Sequence, residues 1–149
     1  MRAFVSGWTV VKEISMSQSP SRIFKAFTTP SQLNAWFTHG AKVDLRVNGR
    51  YSNLDGDKGR FLEIVPGKRL RFTWDNPGHA PNSTVEVLLK RIRDRTTVTL
   101  IQAGFTKKKD FEHYASQESG WNWALENLRS YLNGRKTTDY EIWLKRHKS

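Results

Sequence analysis

Hydrophobic residues alternate at the start of the chain, then recur every third or fourth position. They alternate again through the middle and return to helical spacing near the end. Residues 8–16 place Val10, Lys12, Ile14 and Met16 on one side and Val11 and Glu13 on the other, which predicts a strand. Ser19 is a good helix N-cap and Pro20 suits the first helical position, so a short helix begins there, with Ile23, Phe24 and Phe27 as its buried stripe. Thr29-Pro30 interrupts it, and Ser31 can cap a second short helix carrying Leu33 and Trp36.

Alternation resumes over residues 42–47, 50–53, 60–65, 69–74, 84–93 and 96–103, separated by turn residues. Asn48-Gly49 predicts a tight hairpin, Asp55-Gly56-Asp57 and Pro66-Gly67 predict turns, and Asn76-Pro77-Gly78 predicts a loop. Hairpin-like connections throughout imply an antiparallel sheet, covered on one face and wet on the other. Val85, Val87 and Leu89 share one face, as do Leu70, Phe72 and Trp74, and Val98, Leu100 and Gln102. Residues 104–120 show little period and read as a loop, the natural lid of whatever lies beneath, with Phe111 and Tyr114 on it. Trp121, Leu125, Leu128 and Leu132 then mark one face of a helix that Gly134 ends. Thr138 and Glu141 fit a capping box for a last short helix with Tyr140, Trp143 and Leu144. Trp123 falls off the core stripe and is expected to meet Tyr140 and Trp143 in an outer cluster, either as tail packing or as a partner-binding patch.

Composition changes this picture in two respects. Of 149 residues only 37% are hydrophobic, yet 12% are aromatic, so the core is small in number and rich in rings. There are 25 Lys and Arg against 14 Asp and Glu, a net charge of +11. The charge is spread evenly, with no basic block beyond Lys107-Lys108-Lys109, so any nucleic-acid binding is expected to be non-specific and salt-sensitive. The chain has no cysteine, which excludes disulfides, thiolate metal sites and a cysteine nucleophile. No apolar run is long enough to cross a bilayer and the first residues do not read as a signal peptide, so the expected location is cytoplasmic.

Candidate chemistry is sparse. His39, His79, His113 and His147 lack metal-ligand spacing, and neither a G-x-S-x-G nor an S-x-x-K motif is present. No metal, no cofactor and no catalytic residue is expected. Glu63 is the acid to follow. Strict alternation puts it either with Phe61 and Val65 facing inward, or on the surface with Arg60, Leu62 and Ile64 inward. Gln102, beside Leu100, offers an amide at the end of an internal space or is a satisfied core glutamine.

Certain words in this order resemble a known family: residues 19–30 (Ser-Pro-Ser-Arg-Ile-Phe-Lys-Ala-Phe-Thr-Thr-Pro), 33–37 (Leu-Asn-Ala-Trp-Phe) and 59–66 (Gly-Arg-Phe-Leu-Glu-Ile-Val-Pro). They continue with 69–74 (Arg-Leu-Arg-Phe-Thr-Trp), 96–100 (Thr-Thr-Val-Thr-Leu), Gly104-Phe105 and Gly120-Trp121. Together they resemble the START-like (SRPBCC, helix-grip) superfamily, which includes polyketide cyclases. The closest similarity is to the family homologous to the C-terminal domain of the activator of the heat-shock-protein ATPase. The resemblance implies an α+β helix-grip fold: a curved antiparallel sheet wrapped around a long C-terminal helix, with two short helices after the first strand. It implies one START-like domain over 1–149, with a core at about 9–134 and a C-terminal extension, 135–149, carrying a short helix.

The resemblance also implies an apolar ligand held between sheet and helix. The residues expected to line that space are Trp36, Phe61, Glu63, Phe72, Trp74, Val87, Gln102, Phe105, Trp121 and Leu125. A packed aromatic core is the competing account. Three functions follow in order. The first is non-enzymatic binding of a small apolar or aromatic molecule. The alternative is a co-chaperone-like module that binds a heat-shock ATPase, a chaperone partner, through its surface. A cyclase-type enzyme ranks last, since Glu63 is its one candidate acid.

Overall fold

A computed structural model of the chain describes residues 8–76, 80–105 and 110–147, without the side chains of Trp8 and residues 80–82. The first seven residues, most of the Asn76-Pro77-Gly78 loop, His79 and the run Lys107-Lys108-Lys109 lie outside the described residues. The order is β1 (Trp8–Met16), α1 (Pro20–Thr28), α2 (Pro30–Trp36), β2 (Lys42–Val43), β3 (Arg50–Ser52), β4 (Lys58–Val65), β5 (Arg69–Asn76), β6 (Ala80–Ile92), β7 (Arg95–Phe105), α3 (Phe111–Leu132) and α4 (Tyr140–His147). The strands form one seven-stranded antiparallel sheet in the order β1-β7-β6-β5-β4-β3-β2. This is the helix-grip arrangement. Among the described residues no helix is long and apolar enough to cross a membrane.

Local chemistry explains most boundaries. Ser19 caps α1, its side chain accepting the Arg22 N–H at 3.2 Å, and Pro20 opens the helix. For α2 the cap is Thr29 rather than Ser31, because Pro30 takes the first helical position and draws the start forward. The hairpin between β2 and β3 is wider than Asn48-Gly49 suggests. The Asn48 N–H donates to Phe61 O and Gly49 O accepts from Phe61 N–H, so these residues pair with β4 instead of closing a two-residue turn. Leu45 and Val47, expected in a strand, are consequently exposed in the loop.

The largest correction concerns residues 104–120. α3 starts at Phe111 and runs for 22 residues, so residues 111–120 are helical and Phe111 and Tyr114 sit on the helix. The expected lid is absent there. Its polar residues lie on a helical stretch that is exposed or half-buried, and Gly120 lies mid-helix with open space beside it. From Trp121 onward the stripe is as read: Trp121, Leu125, Leu128 and Leu132 are all buried, with Ala124 completing the face. Burying four such side chains in full contributes roughly 1.5–3 kcal/mol each before chain entropy is counted.

Candidate functional site

The aromatic rings gather where α2, the β3–β5 end of the sheet and α3 meet. Phe37, directly after α2, is the centre. Its ring stacks on Trp121 at 5.7 Å, meets Trp74 edge-on at 5.8 Å, and lies 5.2 Å from Trp36 and 6.4 Å from Trp123. Tyr51 extends the cluster, 5.8 Å from Phe61 and 5.4 Å from Phe72. Its hydroxyl donates to Thr73 O at 2.7 Å. Gly59 makes this possible, since a Cβ there would collide with the Thr73 carbonyl and the Tyr51 ring. Burial, reinforced by the charges of Asp57 and Asp75, pushes the Tyr51 hydroxyl well above the ordinary tyrosine pKa.

Two spaces adjoin these rings. The inner one is a cleft of about 50 Å³, bounded by Trp36, Phe37, Tyr51, Phe61, Phe72, Trp74 and Trp121 among others. One water needs about 10–15 Å³ on this measure, so the cleft as it stands has room for a few waters. The outer one is an open groove of about 630 Å³. It shares Trp36, Phe37, Thr38, Trp74 and Trp121 with the cleft. Its remaining walls are Asn34, Ala35 and His39 around the end of α2, Asp55, Asp57 and Asn76, one face of α3 from Ser116 to Asn127, and residues 137–142.

Of the residues expected to line an internal space, Trp36, Phe61, Phe72, Trp74 and Trp121 do meet at the cleft. Val87, Gln102, Phe105 and Leu125 do not line it. They lie in the closed part of the core, from 0% to 4% exposed. Gln102 is a satisfied core amide: its Oε1 accepts the Trp121 indole N–H at 2.8 Å, and its Nε2 donates to Ser83 Oγ at 3.0 Å. Ser83 in turn donates to Trp74 O at 2.9 Å. This relay bolts α3 to three strands.

Glu63 faces away from the cleft. A bulge between Phe61 and Glu63 sets two residues of β4 against one of β5, so Glu63 pairs with Arg71 and Ile64 with Leu70. Phe61 and Ile64 therefore both point inward, while Leu62, Glu63 and Val65 do not. Strict alternation could not show this, because the extra residue reverses the phase. On the outer face Arg69 approaches Glu63 Oε1 at 3.3 Å, and its Nε donates to Glu86 Oε2 at 2.7 Å. The acid on which a cyclase-type reading depended is thus not at the cleft.

The tail packs back on α3. Trp123 donates its indole N–H to Thr138 O at 2.6 Å, and its ring lies 5.6 Å from Tyr140, which stacks on Trp143. Thr138 does not close a capping box. Asp139 O accepts the Trp143 N–H instead, while the Thr138 N–H donates to Asn127 Oδ1 at 2.8 Å. Asn127 Nδ2 also donates to Trp36 O at 2.8 Å, tying α2, α3 and the tail together. Sequence reasoning missed Phe37, Tyr51 and Asn127. For Asn127 a signal existed, a small amide three residues after Ala124 on the buried side of an otherwise apolar helix face. No group of three or more His, Asp or Glu residues able to hold a metal occurs among the described residues.

Comparison with known proteins follows from this geometry. Residues 17–133 match the model of the family described as Activator of Hsp90 ATPase homolog 1-like protein (AHSA1). The chain belongs to this family. Among solved structures it is similar to CalU16 from Micromonospora echinospora, at 28% identity and a TM-score of 0.71, covering 80% of this chain and 73% of that one. The protein MLL2253 from Mesorhizobium loti shares 25% identity, a TM-score of 0.76, and 85% and 97% coverage. An HSP90 activator from Plasmodium falciparum has the same fold, at 23% identity and a TM-score of 0.75, again covering 85% and 97%. No match was found among curated proteins. The family match stops at residue 133, so the tail that walls the groove lies beyond it.

Proposed function

We propose that this chain binds a small apolar or aromatic molecule where the cleft beneath α3 adjoins the outer groove, without transforming it. The observation that carries this reading is that the two spaces lie against one shared aromatic wall of Trp36, Phe37, Trp74 and Trp121. The cleft alone is too small for such a ligand. The groove supplies the volume, within the range of about 300–1,000 Å³ usual for small-molecule sites. Flat rings suit the wall, since edge-on and offset ring contacts add about 0.5–1.5 kcal/mol each beyond area burial. The test is titration of the full chain with polyphenols, fatty acids and aromatic polyketides, followed by tryptophan fluorescence. At least one class is expected to quench saturably with a Kd below about 100 μM, near −5.5 kcal/mol. Saturation by none of them overturns the reading.

A second reading, surface binding to a heat-shock ATPase, is supported by the family match and by the fold shared with the Plasmodium falciparum activator. A saturable rise in ATP hydrolysis by an Hsp90-type ATPase on adding the chain, with no small molecule present, favours this second reading.

A further inference from the structure

We infer that the ligand of the outer groove is cationic: an amine joined to an aromatic body that also carries a carbonyl or ether oxygen. This rests on the binding reading above and adds the ligand's charge and its acceptor to it. The net charge of the chain is +11, yet no Lys or Arg among the described residues lines the groove. Asp55, Asp57, Asp139 and Glu141 do, with one histidine, His39, among the other lining residues. None of the four carboxylates is in an ion pair among the described residues. Asp55 accepts from the Thr38 hydroxyl, and Asp57 from the Asn53 and Asn76 amides. These neutral donors hold the carboxylates in place and leave the negative charge standing. The surrounding positive surface thus has a negative gap at the mouth of the site.

The walls between the carboxylates are aromatic, with Trp36, Phe37, Trp121, Trp123 and Tyr140 all lining the groove. Ring faces attract ammonium groups, and carboxylates beside them reinforce the preference. Trp74 supplies an independent observation. It lines both spaces, is 6% exposed, and its Nε1–H has no protein partner among the described residues. The indoles of Trp36, Trp121, Trp123 and Trp143 all donate, to Ala26 O, Gln102 Oε1, Thr138 O and Glu126 Oε1. A buried donor of this kind calls for an acceptor, which a ligand oxygen provides once the rings part to admit it. Of the four carboxylates, Asp55 and Asp57 lie within the family match and Asp139 and Glu141 beyond it.

The test uses the full chain and three naphthyl ketones that differ only at one end: trimethylammonium, tert-butyl or carboxylate. The trimethylammonium compound is expected to bind about tenfold more tightly than the tert-butyl one, with the carboxylate weakest and the spread narrowing as salt rises. Asp139 and Glu141 are exposed, so the double variant Asp139→Asn, Glu141→Gln should melt as the parent does. It should lose severalfold affinity for the cation and none for the neutral compound. Trp74→Phe keeps a ring and removes the donor. It is expected to weaken all three compounds severalfold while preserving their order. Equal or tighter binding of the neutral or carboxylate compound overturns the inference and leaves the binding reading intact. So does a double variant that binds the cation like the parent. Failure of all three compounds overturns the inference, and the binding reading falls with it only if the wider panel also fails to saturate.

Discussion

Both ends of the α3–sheet interface are lined with rings and aliphatic side chains, but they close differently. Toward β6 and β7, every polar atom in the relay from Trp121 through Gln102 and Ser83 to the Trp74 carbonyl has a partner. Val85, Val98, Leu100 and Leu128 there are fully buried. Toward β3 to β5, the rings of Phe37, Tyr51, Phe61 and Trp74 leave a cleft between them, and the Trp74 N–H lacks a protein partner. Trp121 belongs to both regions, its edge bonded into the closed one and its face lining the open one. Aromatic content therefore does not separate a core from a site. Completed hydrogen bonds and filled volume do.

The sharpest way to break this comparison is at the centre of the closed end. Leu128→Ala is expected to cost about 2–5 kcal/mol in urea melts, because the site is fully packed and cannot collapse. A loss under half a kcal/mol, on the order of a surface substitution, would mean that α3 does not anchor the sheet. Gln102→Leu keeps the bulk but strands the Trp121 N–H, while the Ser83 hydroxyl still donates to Trp74 O, and should cost about 1–3 kcal/mol for the one donor left unpaired. An indole N–H proton that exchanges faster in this variant, measured by NMR, would tie the loss to Trp121.

Tyr51 sharpens the comparison from the open end. Its folded-state pKa is raised, so its contribution to stability is complete below the unfolded tyrosine value of about 10 and is lost as pH climbs beyond it. Urea midpoints between pH 8 and 11 are expected to fall above about pH 10, and to fall less steeply in Tyr51→Phe. Identical slopes in the two proteins would remove Tyr51 from the buried wall. The smallest effect is expected at Glu63. Its carboxylate and the Arg69 side chain are both about 40% exposed, so Glu63→Gln should change stability by only about 0–1 kcal/mol and leave ligand titrations unaltered.

The order of elements, the antiparallel sheet and the 121/125/128/132 stripe were readable because each depends on a period that the residues display. The family was readable from words such as Leu33-Asn34-Ala35-Trp36-Phe37, and the match over residues 17–133 agrees. The rest was hidden for separate reasons. The bulge at Leu62 is a backbone event with no residue signature, and it decides the side on which Glu63 lies. The first turns of α3 carry polar residues on all sides, so no stripe announces them. Whether Val87 or Trp74 borders a space depends on how far α3 covers each strand, which no local pattern encodes. Phe37 was hidden by position, falling just past the end of α2, where a periodic reading stops.

Asn127 has a mechanical consequence. Its single planar amide holds the Trp36 carbonyl with one end and the Thr138 N–H with the other. Those two groups belong to two adjoining banks of the groove, one at the end of α2 and one in the tail. The amide cannot turn to follow one bank without releasing the other, and it cannot flip, because one partner requires a donor and the other an acceptor. The banks are therefore latched rather than sprung. They stay at a fixed spacing until either bond fails, so the site widens in a single step and not by degrees.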